Sequence, residues 1–413
     1  MRNRPGKPEK KGAGKMSLDL ARVASQVGEM LSRLKDDLRG RQERLKYALE
    51  TVRNQSEDIE NLKNKITSSK TTWLVADLVD GLDPHYKALP LPSDFTVIAT
   101  DGSHIDIDRH QAARCYLINI GSVVLDYGSS PGAVLDSVPS LYAGDEELVI
   151  TEPGVRGNER VVEGALLGIK RGVDECRRLV ELAEALPAGS STLALLDGTL
   201  ILWGLEAYPD FVGDILLEKG FLDCLKRLKE LNGDKRLALA SYISYPRSMD
   251  VVNALKVAVC PNNPLDTDKH CRECITRECD AVAGVRDREL FSDLLGQGER
   301  SALFITQSRI VKRYGEHRVY FFYIRLDDEV ARVEIPQWVA SDKDLLDLAH
   351  SLILDQCRRG QGYPVVLSEA HEQAVVTGAD RENFWTLVEE SLTDEKMQVS
   401  TSAKSRSKRM RWI

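Results

Sequence analysis

FTVIATDGSHIDID (95–108) decides how the rest of the chain is read. The run from Phe95 to Thr100 is apolar and β-branched, as a buried strand requires. It drives into Asp101, followed by a Gly-Ser turn and then Asp106 and Asp108. A carboxylate at the end of a buried strand is costly unless it holds a metal ion or a strong hydrogen-bond partner. The plainer alternative is a turn in which the aspartate accepts backbone N–H groups ahead of glycine.

Working outward, the same pattern recurs at TLALLDGTL (192–200), a buried strand ending at Asp197 before Gly and Thr. On adjacent strands, Asp101 and Asp197 could clamp a hard divalent ion, which prefers oxygen ligands. Two such ions would stabilise both the attacking and the leaving oxygen of a phosphodiester. The helix between the two strands offers a third carboxylate, Glu175, beside the apolar stripe of Leu179 and Leu182; Glu163 and Glu181 compete for the role. A fourth contribution comes from GYPVVLSEAHEQAVV (362–376). Its VVL run reads as a strand with Ser368 as helix N-cap, which puts His371 in the first helical turn beside Tyr363. A histidine there suits metal ligation or proton transfer, and His104 is the second candidate. For any single histidine, the structural alternative is a hydrogen-bonded ring with no chemical task.

The organisation around these motifs is α/β or α+β: a mixed β-sheet flanked by helices, with a long helical arm ahead of it. Residues 1–15 read as a basic disordered tail, 16–70 as the arm, 71–395 as the globular domain and 396–413 as a second basic tail. In the arm, Leu20, Val23, Val27, Met30 and Leu34 follow heptad spacing, and the seam resumes at Leu38, Leu45, Ala48, Val52, Ile59, Leu62 and Ile66. It reads as a coiled-coil or helical-hairpin arm used for dimerisation or docking, with packing back on its own domain as the alternative. In the domain, TTWLVADLVDGL reads as a short helix and RCYLINIGSVVLDYG as a second and third strand. Residues 129–158 read as a Ser/Pro/Gly-rich excursion with a short strand, 159–187 as a helix, and YPVVL as a late strand.

With 413 residues, the chain is long enough for a large core. No apolar run approaches the ~20 residues of a membrane span, and the basic N-terminus lacks the hydrophobic segment of a secretory signal. A cytoplasmic protein is therefore expected. The net charge of −8 hides Arg2, Arg4, Lys7, Lys10, Lys11 and Lys15 at one end and Lys404, Arg406, Lys408, Arg409 and Arg411 at the other. Basic tails on an acidic body suit a polyanion, or else simply solubilise. Of the 8 cysteines, Cys115, Cys176, Cys224 and Cys357 lie in apolar surroundings and read as core residues. Cys260, Cys271, Cys274 and Cys279 are bunched in an insert at 260–280. Their spacing suits structural zinc or an iron–sulfur cluster, with reduced surface thiols as the alternative.

Together, IATDGSH (98–104), LALLDGT (193–199), YISYPRS (242–248), VARVEIPQWVA (330–340) and GYPVVLSEAHEQAV (362–375) resemble the NurA nuclease family. The resemblance implies an RNase H-like core and manganese-dependent (or magnesium-dependent) cleavage of DNA, of 5′–3′ exonuclease and single-strand endonuclease type, in end resection. It also implies a homodimer and a HerA-type hexameric ATPase partner. Asp101 and Asp197 match the family's aspartates, and Tyr363 and His371 its late Tyr and His. Glu175 is taken as the helical glutamate, with Glu163 in reserve. The metal set implied is Asp101, Glu175, Asp197 and His371, with Tyr363 positioning the scissile phosphate. No GxxxxGK[ST] loop occurs, so energy from ATP would come from the partner. Arg247, Arg332 and Trp338 are candidate DNA contacts, the arginines to phosphate and the tryptophan stacking on a base. A catalytically silent DNA-binding scaffold and an RNase H-like enzyme acting on RNA are the alternatives.

Overall fold

Continuous apolar runs form the strands at the centre of the molecule, because those strands are covered on both faces. The computed structural model describes residues 19–397 apart from 57, 109 and 112; the N-terminal basic tail, and the C-terminal one from residue 398, lie outside them. The strands that build the site are β1 (Phe95–Ile105), β2 (Tyr116–Tyr127), β3 (Gly132–Tyr142), β4 (Ser191–Asp197), β5 (Leu237–Ile243), β6 (Val319–Arg325) and β7 (Val330–Pro336). They belong to an 11-stranded sheet in which the order runs β3-β2-β1-β4-β5-β7-β6. Strands β1, β4 and β5 are mutually parallel, and the pairs β1–β2, β2–β3, β5–β7 and β7–β6 are antiparallel.

Among the helices are α1 (Leu20–Ser56), α2 (Ile59–Ser68), α3 (Ala165–Ala185), α4 (Asp250–Val259), α5 (Asp287–Leu294), α6 (Lys343–Arg359), α7 (Val365–Ala374) and α8 (Gly378–Asp394). A parallel β1–β4 pair needs a crossover, and α3 supplies it. The stripe Leu166, Val173, Cys176, Leu179 and Ala183 buries one face of α3 in the main core with β1, β4 and β5. A second core joins Ala48 and Val52 of α1 and Leu62 and Ile66 of α2 to Val251 and Leu255 of α4, Leu290 and Phe291 of α5, and Phe321 and Tyr323 of β6. The seam of the arm is thus divided. Its C-terminal half packs back on the body, while Leu20, Val27, Met30, Leu31, Leu34 and Leu38 stand exposed. Arg41, which interrupts the seam, marks the junction: it pairs with Glu289 at 3.0 Å and donates to the Gly284 carbonyl at 3.2 Å. No described helix is long and apolar enough to cross a membrane.

Several expectations are corrected. TTWLVADLVDGL is extended rather than helical; Ala76 N–H donates to Asp250 O, and Val75, Ala76 and Leu78 enter the second core. The run 114–128 makes one long strand, and the third strand of the sheet, β3, lies inside the Ser/Pro/Gly-rich stretch. The helix expected from 159 begins at Ala165, after a short strand at Glu159–Val161. YPVVL is not a strand: Pro364 is the N-cap of α7, and Ser368 lies inside the helix. The scattered cysteines 115, 176, 224 and 357 are buried and unpaired, as core residues should be.

Candidate active site

The parallel pairing of β1 with β4 runs from Phe95↔Ser191 to Thr100↔Leu196 and stops there. The next residues are Asp101 and Asp197. On neighbouring parallel strands about 4.8 Å apart, both carboxylates therefore leave the sheet at the point where the pair opens. β1 continues alone beside β2 as far as Ile105↔Leu117.

Glu175 reaches the same point from α3. Thr100 Oγ1 donates to the Glu175 carbonyl at 2.9 Å, which fixes that turn of the helix against β1. The glycine of the Asp-Gly-Ser motif makes the approach possible. A Cβ at Gly102 would lie 2.6 Å from Glu175 Oε1 and 2.9 Å from Arg171 Cγ. Arg171 Nε stands 2.9 Å from Glu175 Oε1, an ion pair without good hydrogen-bond alignment. Burial pushes the Glu175 carboxyl up to about 8; Arg171 opposes this, while Asp101 and Asp197 add to it. Of its competitors, Glu163 is exposed, and Glu181 is exposed and paired with Arg178.

α7 brings in the histidine. Gly121 of β2 lets the helix lie directly on the sheet, since a Cβ there would stand 2.3 Å from Ala370 O. Ser103 Oγ and Asn119 Nδ2 donate to Ala374 O at 2.6 and 2.9 Å and pin its end. His371 Nδ1 then meets Asp101 Oδ2 at 2.7 Å, and Gly102 N–H donates to Asp101 Oδ1 at 2.7 Å. The Tyr363 hydroxyl donates to Asp197, and its ring stands edge-on to Tyr242 with centroids 5.5 Å apart. Asp197 is open to water on one side. The protein packed against its other side raises its pKa, the Tyr363 hydroxyl lowers it, and Asp101 raises it further. Burial, and then Asp197, also raise the Tyr363 hydroxyl above its usual range.

Asp101, Glu175, Asp197, Tyr363 and His371 therefore stand together. Among the described residues, no three His, Cys, Asp or Glu side chains form a ready-made metal cage. Each acid is instead held by another partner: Glu175 by Arg171, Asp101 by His371, and Asp197 by Tyr363. The donor chemistry nonetheless fits a hard divalent cation, with carboxylate oxygens gathered against their mutual repulsion and a buried Glu175 Oε1 lacking an aligned donor. Such an ion would be held by Asp101, Glu175 and Asp197, with His371 at the rim.

The remaining candidates divide. Arg247 is exposed on the loop after β5, where it can meet a ligand. Arg332 is not a DNA contact: it is 4% exposed and paired with Asp250 and Glu334, because β5 and β6 flank its strand and acids fill the space beside it. Trp338 is half-buried against the main core. His104 is half-buried, and burial together with Arg171 favours its neutral form. Asp106 has a structural task, accepting the Gly164 N–H ahead of α3 at 2.8 Å. In the insert, Cys260 is buried and Cys271 exposed, with Cys274 and Cys279 between; the other three thiols all act electrostatically on Cys279.

Two residues beside the site escaped sequence reasoning. Arg171 had a visible signal, its i,i+4 spacing to Glu175. Glu334, an acid within an otherwise apolar strand, accepts Thr199 Oγ1 at 2.7 Å and Leu200 N–H at 2.9 Å, just after Asp197.

No curated protein matches the chain. Among solved structures, it is similar to the crystal structure of the NurA nuclease from Sulfolobus solfataricus, at 14% identity and TM-score 0.45, covering 83% of this chain and 95% of that one. The family model for the NurA domain matches residues 95–376, a span that takes in all five residues of the site. The chain belongs to the NurA domain family.

Proposed function

We propose that the protein is a metal-dependent DNA nuclease. The observation that carries this reading is the meeting of Asp101, Asp197 and Glu175 where β1 and β4 part, with His371 and Tyr363 closing on them, inside a NurA domain. Bound there, Mn²⁺ or Mg²⁺ would activate water and offset charge building on the phosphodiester.

The chain's own residues do the rest. Asp101 orients the His371 imidazole through Nδ1, leaving Nε2 to take or give a proton at the rim. The Tyr363 hydroxyl, held by Asp197, positions the scissile phosphate. Arg171, one third exposed beside Glu175, keeps that acid oriented. Arg247 contacts the DNA backbone. The family resemblance supports the finer assignments: 5′–3′ exonuclease and single-strand endonuclease activity in end resection, a homodimer, and a HerA-type ATPase that feeds DNA to the site. The exposed seam at Leu20–Leu38 is the surface we assign to such a partner or second copy. The cysteine insert serves stability, as a structural zinc or iron–sulfur site, and not the chemistry.

The test is incubation with labelled single- and double-stranded DNA in Mn²⁺, Mg²⁺ or EDTA, for the wild type and Asp101→Ala. Cleavage in Mn²⁺ or Mg²⁺ that vanishes in EDTA and in the variant is expected. Cleavage that persists in EDTA, or in the variant, overturns the reading.

A further inference from the structure

We propose that Glu334 is the positioning residue for Asp197 and that Arg332 holds Glu334 in place; this rests on Asp197 being a ligand in the nuclease site. Asp197 is the last residue of β4, and its pairing with β1 has already ended at Leu196. On that side the sheet no longer fixes it, while the charge of Asp101 pushes it away. What holds its direction is the pairing with Tyr242 of β5 and the turn that follows.

That turn is clamped at every step. Gly198, at φ +84°, donates its N–H to Tyr242 O at 2.9 Å. Glu334 Oε2 accepts Thr199 Oγ1 and Leu200 N–H, and Thr199 Oγ1 in turn accepts Ile201 N–H at 3.0 Å. Tyr314, fully buried, accepts Leu202 N–H at 3.0 Å and donates to Leu200 O at 2.9 Å. Glu334 is the one charged member of this set and is 1% exposed.

Its other oxygen is equally occupied. Arg332 Nε and Nη2 reach Glu334 Oε1 at 3.0 and 2.9 Å. Arg332 Nη1 donates to Asp250 Oδ2 at 2.9 Å, and its guanidinium lies 3.7 Å from the centroid of the Phe321 ring. A buried carboxylate with two donors on each oxygen has no direction left for a metal ion. It is a fixed post, and the turn after Asp197 is tied to it. The forked geometry needs arginine; a lysine supplies only a point charge.

The test compares Thr199→Val, Thr199→Ser, Glu334→Gln and the Asp101→Ala control. Thr199→Val removes the donor to Glu334 and the acceptor for Ile201 N–H but leaves the Arg332–Glu334–Asp250 cluster intact, so it tests the tie even where Glu334→Gln does not fold. We expect Thr199→Val to lower kcat by about tenfold, with KM for DNA unchanged and the thermal midpoint lowered by a few degrees. Mn²⁺ affinity, measured by calorimetry without DNA, falls by a similar factor. Thr199→Ser restores both. A Thr199→Val protein with wild-type kcat and wild-type Mn²⁺ affinity overturns the inference. If Asp101→Ala is silent and Thr199→Val is normal, the positioning role alone has failed. If Asp101→Ala still cleaves DNA, the nuclease-site reading has failed with it.

Discussion

Gly102 and Glu175 are the clearest case of one residue making room for another's chemistry. Alanine at 102 would press on Glu175 Oε1 and on the Arg171 stem, an overpacking of about 1–3 kcal/mol. Gly102→Ala is expected to lower the unfolding midpoint and to weaken Mn²⁺ binding, as melts and calorimetry will measure. The raised carboxyl of Glu175 makes a second prediction, for the metal-free protein. Its value moves from the ordinary 4.5 up to about 8 in the fold. Between those values the folded chain holds a proton that the unfolded chain has released, so stability falls as pH rises through that window. Each unit corresponds to about 1.4 kcal/mol. Glu175→Gln, which cannot ionise, should flatten the decline in urea melts between pH 5 and pH 9. A variant that keeps the wild-type slope would show that Glu175 is not its source.

At the scale of elements, the division of α1 predicts two opposite outcomes from one kind of change. Val52→Asp places a charge in the second core, where Val52 is 0% exposed, and should cost at least about 3 kcal/mol. Leu31→Asp, on the exposed half at 51%, should stay within about 0.5 kcal/mol of wild type in denaturant titrations. The same contrast explains what the sequence made legible. FTVIAT, LALLD and LALAS are apolar without interruption because β1, β4 and β5 are buried on both faces, and each could be read directly. β3 could not, since it is an exposed edge strand carrying Pro139 and scattered serines, and among the described residues it pairs with β2 alone. The misreading of YPVVL has a different origin. β-branched residues after a proline suggest a strand, but Pro364 presets the backbone that starts α7. The site survived that error because His371 needed only to lie beyond Pro364. Arg332 was misplaced for a reason no local pattern reveals. Whether an arginine in a strand faces water or Asp250 depends on residues far along the chain.

For the molecule as a whole, gathering like charges predicts that a divalent ion stabilises the fold by binding the native state alone. At about a hundredfold excess over Kd, that linkage is worth about 2.7 kcal/mol. Thermal melts with and without Mn²⁺ should show an upward shift in wild type and none in Asp101→Ala. A shift retained in the variant would place the ion elsewhere.

The bond between His371 and Asp101 joins positions 270 residues apart in sequence. Synthesis from the N-terminus therefore makes the first aspartate long before its histidine. While β1, α3 and β4 are already being made, the acids have neither α7 nor Tyr363 to complete the set. The order of the chain thus delays the centre: a nascent or truncated polypeptide that stops short of α7 carries the acidic residues without Tyr363 and His371.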